Sequence, residues 1–390
     1  MYNFVSPLTI ISGAGSLAKL PEQINRFNAK KVMIFADPGV IQVGIVKKVE
    51  DVLVGAGITY DLYSEIIPEP PVHIADQAVS ALKNSDADMV IGIGGGSSLD
   101  ITKAVAVLSK HEGTVADYLN LTGTKKLSNK GLPKILIPTT SGTGSEVTDI
   151  AVFSLESSKD VITNNYLLAD VAIVDPELTY TLPPRITAAT GVDALTHAVE
   201  ALISVNASPL TDALALDAIR RISQNIRTGV WHGSNVKARN ELSWGSLIAG
   251  LSFYNAGVSG VHALAYPLGG LFKLSHGDSN AVLLPYVFDF VWPSCIEKMV
   301  LMADALGVNR AGLSNREAAI AAVKALYDIV KDVGIPTNLQ EFDIKEEYIE
   351  KLSQDALKQK RLLARSPKPF TIDDIRKVYT AAYNGKLNLL

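Results

Sequence analysis

The chain has 390 residues, which is long for a single domain, and two domains are the natural expectation. Its net charge of -4 provides no basic surface for nucleic acid or for an anionic membrane, so neither is expected as a partner. Cys295 is the only cysteine, and no internal disulfide can form, which suits a reducing cytoplasm. The first residues do not resemble a secretion signal, and no run reaches the roughly 20 apolar residues that span a bilayer.

The first strand-like stretch is followed by a glycine pattern that imitates a dinucleotide fingerprint. Gly13, Gly15 and Ala18 match GxGxxG/A, and the spacing to Asp37 is compatible with such a motif. The preceding stretch, however, lies at the extreme N-terminus and contains Pro7, which favours an edge strand. We interpret the pattern as a turn into a first helix.

Residues 31–35 predict a buried parallel strand, and Asp37 follows at its carboxyl end. Ligands of open α/β sheets bind at that end of the strands. A carboxylate there can accept hydrogen bonds from ribose hydroxyls and would repel a 2′-phosphate. The alternative is a helix N-cap, and one side chain could serve both roles.

A second candidate cofactor element follows the apolar strand predicted at 87–93. The turn Gly94-Gly95-Gly96-Ser97-Ser98 lies between that strand and a helix, so its backbone N–H groups could hold a pyrophosphate at the positive end of the helix. A purely structural tight turn is the alternative. Hydroxyl side chains then cluster after the next buried strand, and they belong to Thr139, Thr140, Ser141, Thr143 and Ser145. This alternation of strands and helices predicts a parallel, doubly wound sheet.

The pattern changes near residue 184, after which helical periodicity dominates. We therefore predict an α/β dinucleotide-binding domain over residues 1–184 and an all-helical metal-binding and substrate domain over 185–390. Predicted helices of the second domain are 187–204, 210–228, 237–252, 295–306, 316–333, 345–354 and 372–383.

Four side chains of the helical domain form a candidate metal site. Asp193 and His197 are four residues apart and share one helix face, while His262 and His276 lie in glycine-punctuated apolar helices. Carboxylate and imidazole donors suit a first-row divalent metal. The alternatives are a surface pair and ordinary core histidines. We expect this site to face the cofactor turns across a cleft between the domains.

Several segments together resemble the iron-containing (group III) alcohol dehydrogenases, over essentially the whole chain. The matching segments are FADPGV, GIGGGSSLDITKA, IPTTSGTGSEVT, VAIVDPEL, LPPRITAATGVDALTHAVEA, GVHALAYPLGG and SHGDSNA. The resemblance implies the two-domain fold that is shared with dehydroquinate synthase. It also implies NAD and a divalent metal, usually Fe²⁺ and sometimes Zn²⁺.

The resemblance assigns a role to each site residue. It makes Asp193, His197, His262 and His276 the metal ligands. Asp37 corresponds to the family acid associated with NAD preference. The further cofactor contacts that it implies are Gly95, Gly96, Ser97, Thr139, Thr140, Thr143, Ser145 and Lys159.

The chain departs from the family pattern at three positions. Tyr266 stands where many members have a second histidine thought to relay the proton, and a tyrosine is a poorer neutral-pH shuttle. Glu69 replaces an asparagine beside the cofactor and could weaken or shift its contacts. Asp278 follows His276 where a small apolar residue is commoner, as either a partner that orients His276 or an N-cap.

These observations predict an enzyme that transfers hydride between a primary, short-chain alcohol or aldehyde and NAD, with the metal as a Lewis acid. We also expect a homo-oligomer, a dimer or larger. A rival within the family is a reductase for an oxo or hydroxy acid, of the hydroxybutyrate or maleylacetate type, for which Lys273 or Arg365 would bind the carboxylate. Two rivals from different functional classes are a dehydroquinate synthase-like lyase and a non-catalytic binding protein.

Overall fold

In the computed structural model, which describes residues 3–155 and 158–389, the chain divides into two units. One unit contains Val5–Thr181 and the other contains Leu182–Leu390. The predicted boundary at residue 184 lies within the first residues of the second unit.

A six-stranded sheet organises the first unit. The strands of this unit are β1 Thr9–Ser12, β2 Lys31–Ala36, β3 Thr59–Tyr63, β4 Met89–Gly94, β5 Lys134–Pro138, β6 Ile150–Ser154, β7 Lys159–Thr163 and β8 Val171–Val174. The sheet order is β1-β8-β5-β4-β2-β3 with parallel pairing throughout, which confirms the predicted parallel sheet. Strands β6 and β7 form a separate antiparallel hairpin that was not predicted.

Helices cover both faces of the sheet, as in a doubly wound fold. These helices are α1 Leu20–Arg26, α2 Pro38–Gln42, α3 Ile45–Gly55, α4 Val72–Lys83 and α5 Gly96–Leu108. Val32 and Ile34 of β2 pack into one apolar core with residues of α1 and α3, whereas Met33 and Phe35 pack into the other with residues of α4 and α5. Successive side chains of a strand point to opposite faces, so an uninterrupted apolar strand such as β2 fills both cores.

The order of the strands places a topological switch point at β2. The chain runs from β2 to β3 on one side and then crosses to β4 on the other side of β2. Strand β2 ends just before Asp37, and β4 ends at Gly94. In open parallel sheets, ligands bind at the carboxyl ends of the strands that flank such a point.

The second unit consists of helices packed around one apolar core. They are α6 Pro184–Ile203, α7 Pro209–Trp231, α8 Val236–Ala256, α9 Gly260–Phe272, α10 His276–Val291, α11 Ile296–Leu306, α12 Asn315–Asp332, α13 Ile349–Leu357, α14 Lys360–Leu363 and α15 Ile372–Asn384. Within the described residues, no single helix is long and apolar enough to cross a membrane. In this described part of the chain, only α8 and α9 taken together meet that length and composition, and they are bent by 104° at their junction.

Local sequence signals explain where these helices begin. Helix α7 starts with a capping box between Ser208 and Thr211, and α12 starts with another between Ser314 and Glu317. In both, each side chain of the pair bonds to the backbone of the other residue and satisfies amide groups that the first helical turn leaves unpaired. Helix α6 instead begins with Pro184, whose fixed φ suits the first helical position.

One buried carboxyl of the first unit makes stability depend on pH. Glu146 is 3% exposed. Burial raises the pKa of its carboxyl to about 7, against partial opposition from its own backbone N–H and from Lys103. In the unfolded chain this group ionises at lower pH, so folding favours the protonated form. Its stabilising contribution is present below the unfolded pKa and is lost as pH rises through the folded pKa, at a cost of roughly 3 kcal/mol.

We expect Glu146→Gln to remove this dependence, because an amide keeps the neutral form at every pH. The free energy of unfolding in urea would be measured at ~pH 5 and ~pH 8. The wild-type protein should lose roughly 2 to 3 kcal/mol more than the variant between these two conditions. Parallel pH profiles for the two proteins would show that Glu146 does not titrate in this range.

Candidate functional site

The four predicted ligand residues come together in the second unit, although they belong to three helices. Asp193 and His197 lie in the middle of α6, on one face. His262 lies in the first turn of α9, and His276 is the first residue of α10. One ligand atom of each side chain can be chosen so that all four atoms lie within 4.8 Å of one another. We name this set the metal group.

Burial of the metal group affects the pKa values of its side chains. Asp193, His197 and His262 are at most 4% exposed. Burial lowers the pKa of His197 to about 3, so its imidazole is neutral at neutral pH and has a lone pair for a metal. For Asp193, burial acts to raise the pKa, but the neighbouring imidazoles and the hydrogen bond from Asn280 act in the opposite direction, and the pKa lies below its usual value. A carboxylate and neutral imidazoles are the protonation states that a metal ligand requires.

Unsatisfied polar atoms support the fit of a divalent ion to the metal group. Nδ1 of His197 is buried and has no hydrogen-bond partner among the described residues. The side-chain amide of Asn280 is directed at the remaining three members: its Nδ2 lies 2.7 Å from Oδ1 of Asp193 and 3.2 Å from Nε2 of both His262 and His276. The positive edge of this amide therefore contacts the same lone pairs that a cation would bind.

Asn280 was not predicted from the sequence. It lies four residues after His276, so the two side chains share one face of α10, and the spacing in HGDSN was the available signal. Asp278 was considered as a partner of His276 or as an N-cap. In the structure Ser275 is the N-cap of α10, and Asp278 supports that cap by accepting from Oγ of Ser275 at 2.8 Å. Asp278 also forms an ion pair with Arg185, 2.6 Å from Oδ1 to Nη2.

Aromatic side chains border the metal group. Phe253 stacks on His197 with 4.1 Å between the ring centroids. Tyr266, one turn after His262 on α9, has its ring centroid 6.3 Å from that of His276. Phe253 limits access of water to one side of the group, while Tyr266 is the aromatic hydroxyl that the sequence singled out for proton transfer.

The two cations proposed for an acid substrate differ in their surroundings. Lys273 Nζ donates to the carbonyl of Gly270 at 3.0 Å, which occupies it within its own helix end. The side chain of Arg365 instead packs beside Gly257, where a Cβ would lie 2.5 Å from its Cδ. Burial lowers the pKa of Arg365, and the phenol of Tyr266 acts in the opposite direction. Arg365 is therefore electrostatically linked to Tyr266, which borders the metal group.

The glycine turn after β4 has the backbone expected of an anion site. Gly94 has φ of 148°, and a Cβ there would lie 2.6 Å from Oγ of Ser98. Gly95, Gly96 and Ser97 are partly exposed where α5 begins, whereas the residues that follow are buried. The first amides of a helix have no acceptor within it, so this turn presents donors to an anionic ligand.

The hydroxyl residues after β5 divide into two groups. Thr140 and Thr143 are partly exposed, and Thr143 packs against Gly96, where a Cβ would lie 2.8 Å from its Cγ2. Thr139 and Ser145 are buried. Ser145 Oγ donates to Oδ1 of Asp100 at 2.6 Å, so its hydroxyl is used inside the protein. Of the predicted contacts, Thr140 and Thr143 remain accessible to a ligand, while Ser145 supports the loop.

Asp37 serves as the N-cap and also contacts the glycine turn. Its Oδ1 accepts from the amide of Val40 at 3.1 Å, and its Oδ2 accepts from Oγ of Ser98 at 3.1 Å. Asp37 is therefore anchored at the carboxyl end of β2, beside the turn predicted to bind pyrophosphate. At the alternative fingerprint, Gly13–Ala18, a side chain of the protein accepts the backbone hydrogen bonds: the amides of Gly15 and Leu17 donate to the carboxylate of Asp175.

Lys159 and Glu69 form an ion pair. Lys159 is buried on β7, whereas the side chain of Glu69 is 40% exposed. Glu69 has φ of 52°, and its amide donates to Oγ of Ser97 at 3.1 Å. Glu69, which stands where the family pattern has an asparagine, thus neutralises Lys159, the predicted cofactor contact. The backbone amide of Glu69 also contacts the glycine turn.

The comparisons with known proteins agree over the whole length of the chain. Residues 7–176 match the family "Iron-containing alcohol dehydrogenase", and residues 187–383 match "Fe-containing alcohol dehydrogenase family, C-terminal". The chain is 54% identical to Long-chain-alcohol dehydrogenase 1 of Geobacillus thermodenitrificans, over 96% of this chain and 95% of that protein. It is 33% identical to the NAD-dependent methanol dehydrogenase of Bacillus methanolicus, over 97% of this chain and 99% of the relative.

The solved structure of a 1,3-propanediol oxidoreductase is similar to the fold with a TM-score of 0.94. It is 34% identical in sequence, and the similarity covers 98% of this chain and 100% of that chain. The expected cofactors are consistent with these findings: the family is iron-containing, one relative is named NAD-dependent, and the metal group could bind an ion. The chain belongs to the iron-containing alcohol dehydrogenases and is an oxidoreductase of that family.

Proposed function

We propose that this protein catalyses the reversible, NAD-dependent conversion of a primary alcohol to its aldehyde at a divalent metal. The metal is held by Asp193, His197, His262 and His276. The observation that carries the proposal is the convergence of one carboxylate and three imidazoles within 4.8 Å, in a largely buried position. Fe²⁺ is the preferred ion and Zn²⁺ the alternative, since these donors suit both.

The residues of the metal group suit the stabilisation of a negatively charged substrate oxygen. When bound, the divalent metal supplies Lewis acidity toward that oxygen, and NAD supplies the hydride acceptor. One carboxylate and three neutral imidazoles leave a net positive charge on a divalent centre, which favours an alkoxide over an alcohol. Phe253, stacked on His197, keeps water from one side of the site. We assign Tyr266 as the group that exchanges the substrate proton.

The first unit provides the residues that we assign to NAD. The partly exposed amides of Gly95, Gly96 and Ser97 bind the pyrophosphate at the amino end of α5. Asp37 accepts hydrogen bonds from a ribose, which selects NAD over NADP. The remaining contacts that we propose come from Thr140, Thr143 and Lys159, with Thr139 and Ser145 shaping the loop that carries them.

An assay of cofactor oxidation with a panel of substrates tests the proposal. The protein would be stripped of metal, reconstituted with Fe²⁺ without oxygen or with Zn²⁺, and given NADH or NADPH. The substrates are acetaldehyde, butanal, octanal, hexadecanal and succinic semialdehyde. This range is needed because one relative is named for long-chain alcohols, whereas the sequence predicted a short one. We expect metal-dependent oxidation of NADH with a neutral aldehyde.

The controls are two histidine variants of the same unit. His262→Ala should lower the rate by ~10³-fold because it removes one member of the metal group. His232→Ala changes an exposed histidine at the end of α7 and should leave the rate unchanged. Activity with succinic semialdehyde alone would favour the acid reductase, for which Arg365 is the candidate carboxylate partner. Failure of every substrate in metal-loaded protein would contradict the proposal.

The remaining expectations concern the state of the protein in the cell. We infer a cytoplasmic location because Cys295 is the only cysteine and no internal disulfide can form, which suits a reducing compartment. The homo-oligomer stays a prediction from the sequence.

A further inference from the structure

A third polar side chain of α6 lies on the same helix face as Asp193 and His197. Glu200 is three residues beyond His197, and in a helix the positions i, i+4 and i+7 are aligned. Its side chain is fully buried. Glu200 pairs with His262 of α9, whose Nδ1 lies 2.6 Å from Oε2 of Glu200.

Glu200 also holds the beginning of α9. Its Oε1 accepts from Oγ of Ser259 at 2.9 Å and from the amide of Val261 at 2.7 Å. Ser259 is the N-cap residue of α9, but its side chain makes no capping bond of its own. The carboxylate from α6 therefore performs the capping function for a different helix and fixes the backbone on which His262 stands.

The same contact determines which nitrogen of His262 can bind a metal. An ionised carboxylate only accepts hydrogen bonds, so Nδ1 of His262 carries the proton. In a neutral imidazole the lone pair is then on Nε2. Nε2 is the atom that lies 3.2 Å from Nδ2 of Asn280, at the centre of the metal group. The hydrogen bond to Glu200 and the orientation of the lone pair therefore agree.

We propose that Glu200 is a positioning residue that fixes the Nδ1–H tautomer of His262 and thereby strengthens binding of a divalent metal through Nε2. The inference rests on the metal site of the proposed function. The carboxylate makes the imidazole a stronger donor, and it adds a second buried negative charge near the ion. Its contacts with Ser259 and Val261 limit the rotation of the first turn of α9, so the ring does not need to be ordered when the metal binds.

Metal affinity of Glu200→Gln tests the proposal without measuring turnover. Zinc would be titrated against a competing chromogenic chelator, in wild-type and variant full-length protein. Partners of this kind typically contribute ~10- to 100-fold to metal affinity, and we expect a loss in that range. The matched control is Asp289→Asn, because Asp289 is also a buried carboxylate that accepts two backbone amides, those of Asn388 and Leu389. That control should keep the wild-type affinity.

A spectroscopic measurement on the unaltered protein decides the tautomer independently. Protein labelled with ¹⁵N at histidine would be examined by NMR in metal-free form, with His262→Gln used to assign the signal. A proton on Nδ1 supports the proposal, and a proton on Nε2 overturns it even if Glu200→Gln does not fold. Unchanged zinc affinity in folded Glu200→Gln also overturns it. If wild-type protein binds no zinc, the proposed metal site fails, and the tautomer still reports on the contact between Glu200 and His262.

Discussion

Replacing Asp193 by asparagine is expected to remove the metal and to lower kcat/KM for aldehyde reduction by ~10³-fold or more. Asp193 is the only anionic member of the metal group, and it is 2% exposed. An amide of the same shape keeps the packing of α6 but no longer offsets the charge of a divalent ion in a site of low dielectric. Metal content after dialysis and the rate of NADH oxidation measure the two effects.

The control for this variant is an aspartate of the same unit whose charge is paired at the surface. Asp212→Asn breaks the ion pair with Lys298, which joins α7 to α11, and such a pair contributes ~1 kcal/mol or less to stability. We expect this variant to keep its metal and its rate. If Asp193→Asn retained full metal content and activity, the four-residue ligand set would be wrong.

Replacing Asp37 by serine is expected to raise the ratio of kcat/KM for NADPH over NADH by roughly 10- to 100-fold. Two like charges about 4 Å apart near a protein surface repel by ~4 kcal/mol, and screening reduces what is measured. Serine removes the charge that would meet a 2′-phosphate. It retains an oxygen that can accept from the amide of Val40, so α2 keeps its N-cap.

Asp88, a carboxylate at the opposite, amino end of the sheet, provides the control for Asp37→Ser. Asp88 precedes β4 and accepts from the amides of Lys30 and Lys31, at the amino end of the sheet. Asp88→Ser should affect stability and leave the cofactor ratio unchanged. If Asp37→Ser also left the ratio unchanged, the role of Asp37 would be restricted to the N-cap and to its contact with Ser98.

Residue patterns predicted much of the sheet because its central strands are buried on both faces. Residues 31–35 and 87–93 are predicted as strands, and the structure has β2 at Lys31–Ala36 and β4 at Met89–Gly94. The β6–β7 hairpin was missed because its short strands lack the continuous apolar run of a central parallel strand. The single turn of α2 was missed for a related reason, since five residues are too few for helical periodicity.

The predicted metal group could be recognised because histidines are rare in this chain and an aspartate at helical spacing accompanies one of them. The supporting residues were less visible. Glu200 lies in an apolar helix as an isolated charge, and nothing in the sequence shows that its partner is 62 positions away. The inward direction of Ser145 also depends on a distant residue, Asp100. Contacts of this kind follow from how helices pack, which local patterns do not encode.

Two of the proposed ligands stand where a helix starts after an irregular link. The link before α9 includes Gly257 with φ of 87°, and the link before α10 includes Lys273 with φ of 57°. An ion bound by His262 and His276 would therefore join two chain segments, and any ordering that the two links still require would reduce its binding free energy. Substitutions at Gly257 or Lys273 would weaken metal retention without changing a ligand. For this protein, metal affinity is also a measure of how well these two links are preorganised.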